Sequence, residues 1–299
     1  MTSILDRAFE TARALPCWQG TPQISQLGGG ITNINLRVSD EAGEYVVRFG
    51  EDIPEHGVMR FNELAISRAA HACGLSPAIH HTAPGVLVLD YIPSTPLEAT
   101  DLHDTDTLQQ AVHLIRTLHC DVTQKVRGPV LTFWVFHVLH DYAAFLSENT
   151  SPHTPLLAEL MLEAQALEKA VGKVDLVLGH NDLLPSNLLR AEDRLWLIDW
   201  DYGGFNSPLF DLGGLATNCG LSPDAEHLML ETYFGTPPDR DLMNSYGAMK
   251  CASLLRETMW SMVSEITSKI DFDYAAYTAD NLARYRQALS EYYSQRGSK

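Results

Sequence analysis

His180-Asn181-Asp182-Leu183-Leu184-Pro185-Ser186-Asn187 is the stretch on which the reading turns. It follows the apolar run Leu176-Val177-Leu178 and precedes Leu195-Trp196-Leu197-Ile198-Asp199-Trp200-Asp201. Asp182 and Asn187 stand five apart on one loop, and Asp199 follows Asn187 by twelve. Phosphoryl transfer needs a carboxylate to orient a hydroxyl and accept its proton, and oxygen ligands to hold Mg²⁺ against nucleotide phosphates. The pattern therefore predicts Asp182 as the base and Asn187 with Asp199 as magnesium ligands, ATP being the phosphoryl donor. Asp and Asn are also common turn residues. The eight-residue string alone arises by chance on the order of once in a hundred chains of this length. The apolar strand before it and the L-I-D run after it decide against chance.

Working outward, two weaker elements fall in the order that chemistry requires. Gly28-Gly29-Gly30-Ile31-Thr32-Asn33 lies between two strand-like runs. Glycines let backbone N–H groups approach phosphates, so Gly29, Gly30, Thr32 and Asn33 are candidate nucleotide contacts. A plain hairpin turn explains the same residues when the loop is taken alone. Arg48, in Tyr45-Val46-Val47-Arg48, and Glu63, in Asn62-Glu63-Leu64, offer a cation for the α- and β-phosphates and an acid to orient it. Taken alone, each reads better as a solvated charge, Arg48 on an edge strand and Glu63 on an exposed helix face.

The rest of the chain divides at about residue 92. Strands are expected over 23–27, 31–38, 45–49 and 85–91. Pro54 opens a helix with Phe61, Leu64, Ala65 and Arg68 at helical spacing, stopped by Gly74. The segment 92–96 reads as a linker. Helical periodicity then covers 106–119, 133–147, 155–171, 222–234, 239–267 and 274–293. The expected architecture is α+β: a small sheet-rich lobe over 1–92 and a larger, mostly helical lobe over 93–299.

Composition narrows the partners. The chain has 299 residues, 45% hydrophobic, and a formal net charge of −17, which disfavours nucleic acid and anionic membrane surfaces and suits a small cationic ligand. No apolar run approaches the roughly 20 residues that span a bilayer. Asp6, Arg7 and Glu10 interrupt any signal-like segment, so a cytoplasmic location is expected. Five cysteines without a C-x-x-C pair indicate neither a disulfide framework nor a zinc site.

Together, G-G-I-T-N, Y-V-V-R, H-N-D-x-x-x-x-N and I-D-W-D-Y resemble the choline/ethanolamine kinases within the aminoglycoside phosphotransferase group, which has a protein-kinase-like fold. The resemblance runs from about Gln26 to Trp260. It implies Asp182 as catalytic base, Asn187 and Asp199 as magnesium ligands, and His180 and Asp211 as braces of the loop. It also implies an adenine-binding hinge near Leu89 to Ile92, including Tyr91. For the acceptor, a small cationic alcohol such as choline, it implies Tyr202 and Trp260 as walls of an aromatic cage. Glu257, three residues before Trp260 on the same helix face, would supply the carboxylate. Asp201 is placed beside the substrate, its role open. Core packing is the competing account of Trp260. Such kinases tend to have a second tryptophan at the position of Glu257 and an acid at that of Asn218. Thiamine, an aminoglycoside, a sugar or an amino acid is therefore an alternative acceptor, and a silent kinase-like binding protein is the reading from another class. Self-association as a homodimer is left open.

Overall fold

The computed structural model describes residues 4–28, 33–192 and 194–297. Its N-terminal part is a five-stranded antiparallel sheet in the order β1-β2-β3-β5-β4. The strands are β1 (Gln23–Leu27), β2 (Ile34–Ser39), β3 (Glu44–Phe49), β4 (Ile79–Ala83) and β5 (Val86–Asp90), with helix α1 (Ile4–Ala14) laid against them. Successive side chains on a strand point to opposite faces. Tyr45 and Val47 of β3 thus join Leu36, Val38, Val86, Val88 and the α1 residues Ala8 and Ala12 in a small core. Arg48 is turned to the other face. Strand β4, with its His80-His81 pair, and helix α1 carried no periodic signal strong enough to be expected.

Helix α2 (Arg60–Ala72) starts later than expected, after a 3₁₀ turn over Pro54–His56 closed by Gly57 in the left-handed region. Its buried face is Asn62, Glu63, Ile66, Ser67, Ala69 and Ala70, whereas Phe61 is exposed. The periodicity of Phe61, Leu64, Ala65 and Arg68 picked out the wrong face, because polar Asn62 and Glu63 are buried by partners rather than by apolarity. Ile66, Ala69 and Ala70 belong to the core of the helical lobe. The covalent link at residue 92 therefore does not divide the packing.

Within the presumed linker, β6 (Thr95–Pro96) pairs with β8 (Leu188–Ala191), which pairs with β9 (Arg194–Leu197). The helices are α3 (Thr105–Thr117), the single turn α4 (Thr123–Lys125), α5 (Val135–Glu148), α6 (Thr154–Val171), α7 (Pro208–Cys219), α8 (Pro223–Phe234), α9 (Arg240–Thr267) and α10 (Tyr274–Gly297). Short β7 (Val177–Gly179) and β10 (Gly204–Asn206) pair antiparallel. Ser207 caps α7 by accepting the Leu209 N–H, with Pro208 at the first helical position. Gly213 lets α7 and α9 cross closely: a Cβ there would lie 2.9 Å from the Lys250 Cα. That crossing sets α9, with Arg256, Glu257 and Trp260, beside the loop that follows β7. The five cysteines are free, and among the described residues no helix is long and apolar enough to cross a membrane.

Candidate active site

The loop after β7 is held by one buried carboxylate. Asp211, on α7, accepts the backbone N–H of His180 through Oδ2 (2.8 Å) and that of Asn181 through Oδ1 (2.7 Å). His119 donates its Nε2–H to the same Oδ2 at 2.9 Å. Burial opposes the charge on Asp211, but the hydrogen bond and charge of His119, with His180, outweigh it and hold the carboxyl below its usual range. His119 sits in a π-helical turn over Leu118–Val122 at the end of α3, and the Tyr233 hydroxyl lies 2.8 Å from its Nδ1. π-turns recur at functional sites because they redirect a side chain within a helix. The His180 ring donates through Nε2 to the Ile198 carbonyl (2.9 Å), tying the loop to the strand that leads to Asp199.

Asn181 was an unspecified position in the sequence motif, yet it is the most constrained residue of the loop. Its φ is 64°, and that of Asp199 is 71°. Non-glycine residues in this region persist where surrounding bonds over-determine them. Asn181 Nδ2 donates to the carbonyls of Tyr202 and Gly204 at 3.0 Å each, and its Oδ1 accepts from Asn206 at 3.0 Å. Asn187 Nδ2 donates to the Asp182 carbonyl (3.0 Å), and the Ile198 N–H donates to the Asn187 carbonyl (3.1 Å). Asp182, Asn187 and Asp199 are thereby locked into one geometry. Burial, with like charge from Glu257, Asp199 and Asp201 and against the opposing charge of Arg256, raises the Asp182 carboxyl to about 7. Its side chain keeps 24% of its surface exposed, so the carboxylate can be reached from the cleft.

The nucleotide-side charges form one network between the lobes. Arg48 lies 3.1 Å from Glu63, as the sequence predicts, and its Nη2 also reaches Asp199 (2.6 Å) and Asp201 (2.8 Å). Arg60, which sequence reading passed over, bridges Glu63 and Asp201 at 2.7 Å each. Asn33 donates to Asp201 Oδ2 at 3.0 Å. Burial opposes the charge on Asp199, yet Arg48 holds it below the usual carboxylate range. Asp201 is thus not beside the acceptor. It is buried, with both oxygens engaged by the arginines and Asn33, because two cations brought across from β3 and α2 need a third carboxylate. Gly29, Gly30 and Thr32 lie outside the described residues.

The expected hinge is partly closed. Leu89 lies in the sheet, registered with Val46 and Ile79, and the Tyr91 N–H donates to the Glu44 carbonyl at 2.8 Å. That N–H is spent on the sheet edge rather than open to an adenine. The Tyr91 ring is covered by Arg37, whose Cζ is 4.1 Å from its centroid.

The acceptor side also departs from expectation. A narrow cleft, with room for about 20 Å³, opens beside Asp182, lined in part by Leu183, Asn218, Ser253, Arg256 and Glu257. Tyr202 and Trp260 do not line it. Trp260 is 8% exposed and donates its indole N–H to the Tyr202 hydroxyl at 2.8 Å. Its ring packs near His56, Tyr274 and Tyr277, with centroids 5.3, 6.1 and 6.4 Å away. The Tyr202 face is occupied by Arg256, with Cζ 4.4 Å from the ring centroid. The same guanidinium is 3.0 Å from Glu257 and 3.7 Å from Asp182. The aromatic pair therefore exists but closes on an internal cation. No motif flagged Arg256; its place on the turn of α9 bearing Glu257 was the available signal. His56, from the 3₁₀ turn before α2, is buried within 3.2 Å of the hydroxyls of both Tyr142 and Ser264, and burial and Arg256 push its ring down to about 3.

A sheet lobe carrying an arginine–glutamate pair, set over a helical lobe with a braced Asp/Asn loop and an Asp on the next segment, defines a kinase-like phosphotransferase. The chain belongs to the choline/ethanolamine kinase family, whose model, described as Choline/ethanolamine kinase, matches residues 24–222. Protein LicA of Haemophilus influenzae is 28% identical over 274 residues, covering 88% of this chain and 79% of that protein. Ethanolamine kinase 2 of Mus musculus is 25% identical over 315 residues, covering 94% and 80%. A crystal structure of a choline/ethanolamine kinase family protein from Mesorhizobium loti matches with a TM-score of 0.79 at 26% identity, over 96% of this chain and 95% of that one. The protein is accordingly a phosphotransferase with an alcohol group as acceptor.

Proposed function

We propose that this protein transfers the γ-phosphoryl group of ATP to the hydroxyl of a small amino alcohol, of which choline is the family's reference case. The observation that carries the reading is Asp182: a partly exposed carboxylate raised to about 7, on a loop fixed by Asp211, Asn181 and Asn187. In that setting it orients the acceptor hydroxyl and takes its proton as the new O–P bond forms. Arg48, held by Glu63, is the cation available to the nucleotide phosphates. The names and family of the relatives support the same reading, and the use of ATP supports a cytoplasmic location.

Asn187 and Asp199 fit a magnesium ion. Both offer oxygen, the donor a hard divalent cation prefers, and the Ile198 N–H to Asn187 carbonyl bond keeps them adjacent. When bound, such an ion would neutralise phosphate charge.

The test is ADP release with MgATP across choline, ethanolamine, thiamine and an aminoglycoside. Turnover confined to the amino alcohols is expected. Turnover of an aminoglycoside or thiamine alone would refute the reading.

A further inference from the structure

The acceptor wall contains a charge that the reaction as described does not use. Arg256 is buried, lies over Tyr202 with its Cζ 4.4 Å from the ring centroid, and stands 5.4 Å from that of Phe133. Its Nη1 faces Glu257 at 3.0 Å and Asp182 at 3.7 Å, while Nε and Nη2 are buried without a hydrogen-bond partner. The Tyr142 hydroxyl also lies close to this guanidinium. An arginine cannot shed its proton in a protein, so this cation is permanent.

Two kinds of ammonium respond differently to such a wall. A quaternary ammonium has no N–H to donate and depends on open ring faces. Here one face is filled by Arg256, and Trp260 is turned away into the core. A primary or secondary ammonium can instead donate charge-assisted hydrogen bonds to a carboxylate. Both Glu257 oxygens have a partner, Oε1 the Tyr277 hydroxyl at 2.7 Å and Oε2 the Arg256 Nη1 at 3.0 Å, but each keeps a second lone pair, and 25% of the side chain stays exposed on the cleft that holds Asp182.

We propose that Arg256 determines acceptor specificity: it fills the aromatic pair from within, so the pocket selects an amino alcohol with a primary or secondary ammonium hydrogen-bonded to Glu257 over a quaternary one. Arg256 acts through Tyr202 and Glu257 rather than on the reacting atoms. The inference rests on the amino-alcohol kinase reading and names the substrate class within it.

The experiment is a set of initial rates at saturating MgATP for ethanolamine, N-methylethanolamine, N,N-dimethylethanolamine and choline. It uses the wild-type protein, Arg256→Met and Arg256→Lys. In the wild type kcat/KM should fall along the series, with choline about tenfold or more below ethanolamine and the change carried by KM. Arg256→Met should raise the choline-to-ethanolamine ratio by about 2- to 30-fold, the worth of one cation–π contact. Arg256→Lys, which keeps the charge, should preserve the wild-type order. The wild-type series needs no variant, so misfolding of the Met protein cannot hide the answer. Choline used as well as ethanolamine by the wild type overturns this inference alone, as does an unchanged ratio in a folded Arg256→Met protein. No turnover of any of the four overturns the amino-alcohol reading, and the inference with it.

Discussion

Replacing Asp211 by Asn tests how the catalytic loop is held. The carboxylate accepts three hydrogen bonds, at 2.8, 2.7 and 2.9 Å, from the N–H groups of His180 and Asn181 and from His119. Asparagine offers one acceptor oxygen and puts an NH₂ where the other was, so a buried donor must face a donor. Hydrogen bonds to a charged acceptor contribute about 1.5–3 kcal/mol, and an orphaned buried group costs about 1–3. A loss of about 3–5 kcal/mol follows from losing one such bond and orphaning its donor. At about 2–4 °C per kcal/mol for a chain of this size, Tm should fall by roughly 6–20 °C. kcat should fall about 10²-fold if the loop relaxes by 1 Å. Because the folded carboxyl is held below its usual range, its contribution is present above the unfolded value of about 4 and is lost as pH falls through the folded one. The gap between wild type and variant should therefore narrow in acid. The assays are thermal melts at pH 7 and at a series of values from about pH 4 down to about pH 2, and steady-state kinetics at pH 7. A variant melting within about 2 °C of wild type, with kcat within about twofold, would refute the bracing role.

Asp182→Ala should lower kcat by about 10²- to 10⁴-fold with MgATP binding retained, as measured by turnover and nucleotide titration. In the wild type kcat/KM should rise with pH up to about 7 as Asp182 ionises; Glu257→Gln, which removes a like charge, should move that limb to lower pH. The same raised value costs the fold nothing below pH 4 and its full amount above 7, the reverse of Asp211. Asp199→Asn should abolish most activity, and excess EDTA should stop the wild-type reaction; full turnover in EDTA would exclude the metal assignment. Trp260→Ala should destabilise by about 3–5 kcal/mol and shift the KM values for amine and ATP together; a selective rise in amine KM in a stable protein would restore the open cage.

The sequence carried the catalytic loop because its chemistry is local: residues five and twelve apart are placed by one turn and one strand. Arg48 was legible from strand alternation, and Glu63 only as the acid expected on the helix that follows that strand. What could not be read arises where distant segments meet. His119 reaches Asp211 only through a π-turn, Arg60 reaches Asp201 only across the lobes, and Arg256 takes the Tyr202 face only because Gly213 lets α9 come close. Asp201 was expected beside the substrate, but the turn after Trp200 sets it among Arg48, Arg60 and Asn33, which arrive from distant elements. The buried face of α2 was misread because Glu63 is an ion-paired carboxylate that hydropathy counts as exposed.

His56 has a mechanical consequence. It belongs to the segment between the sheet and α2, yet its ring sits in the helical lobe, within 3.2 Å of both Tyr142 and Ser264 and beside Trp260. Pulling the lobes straight apart would extract that ring and strand two buried hydroxyls. The ring thus pins the segment before α2 to the helical lobe from within, beside Trp260, so the two lobes are joined there by buried polar contacts as well as by the chain.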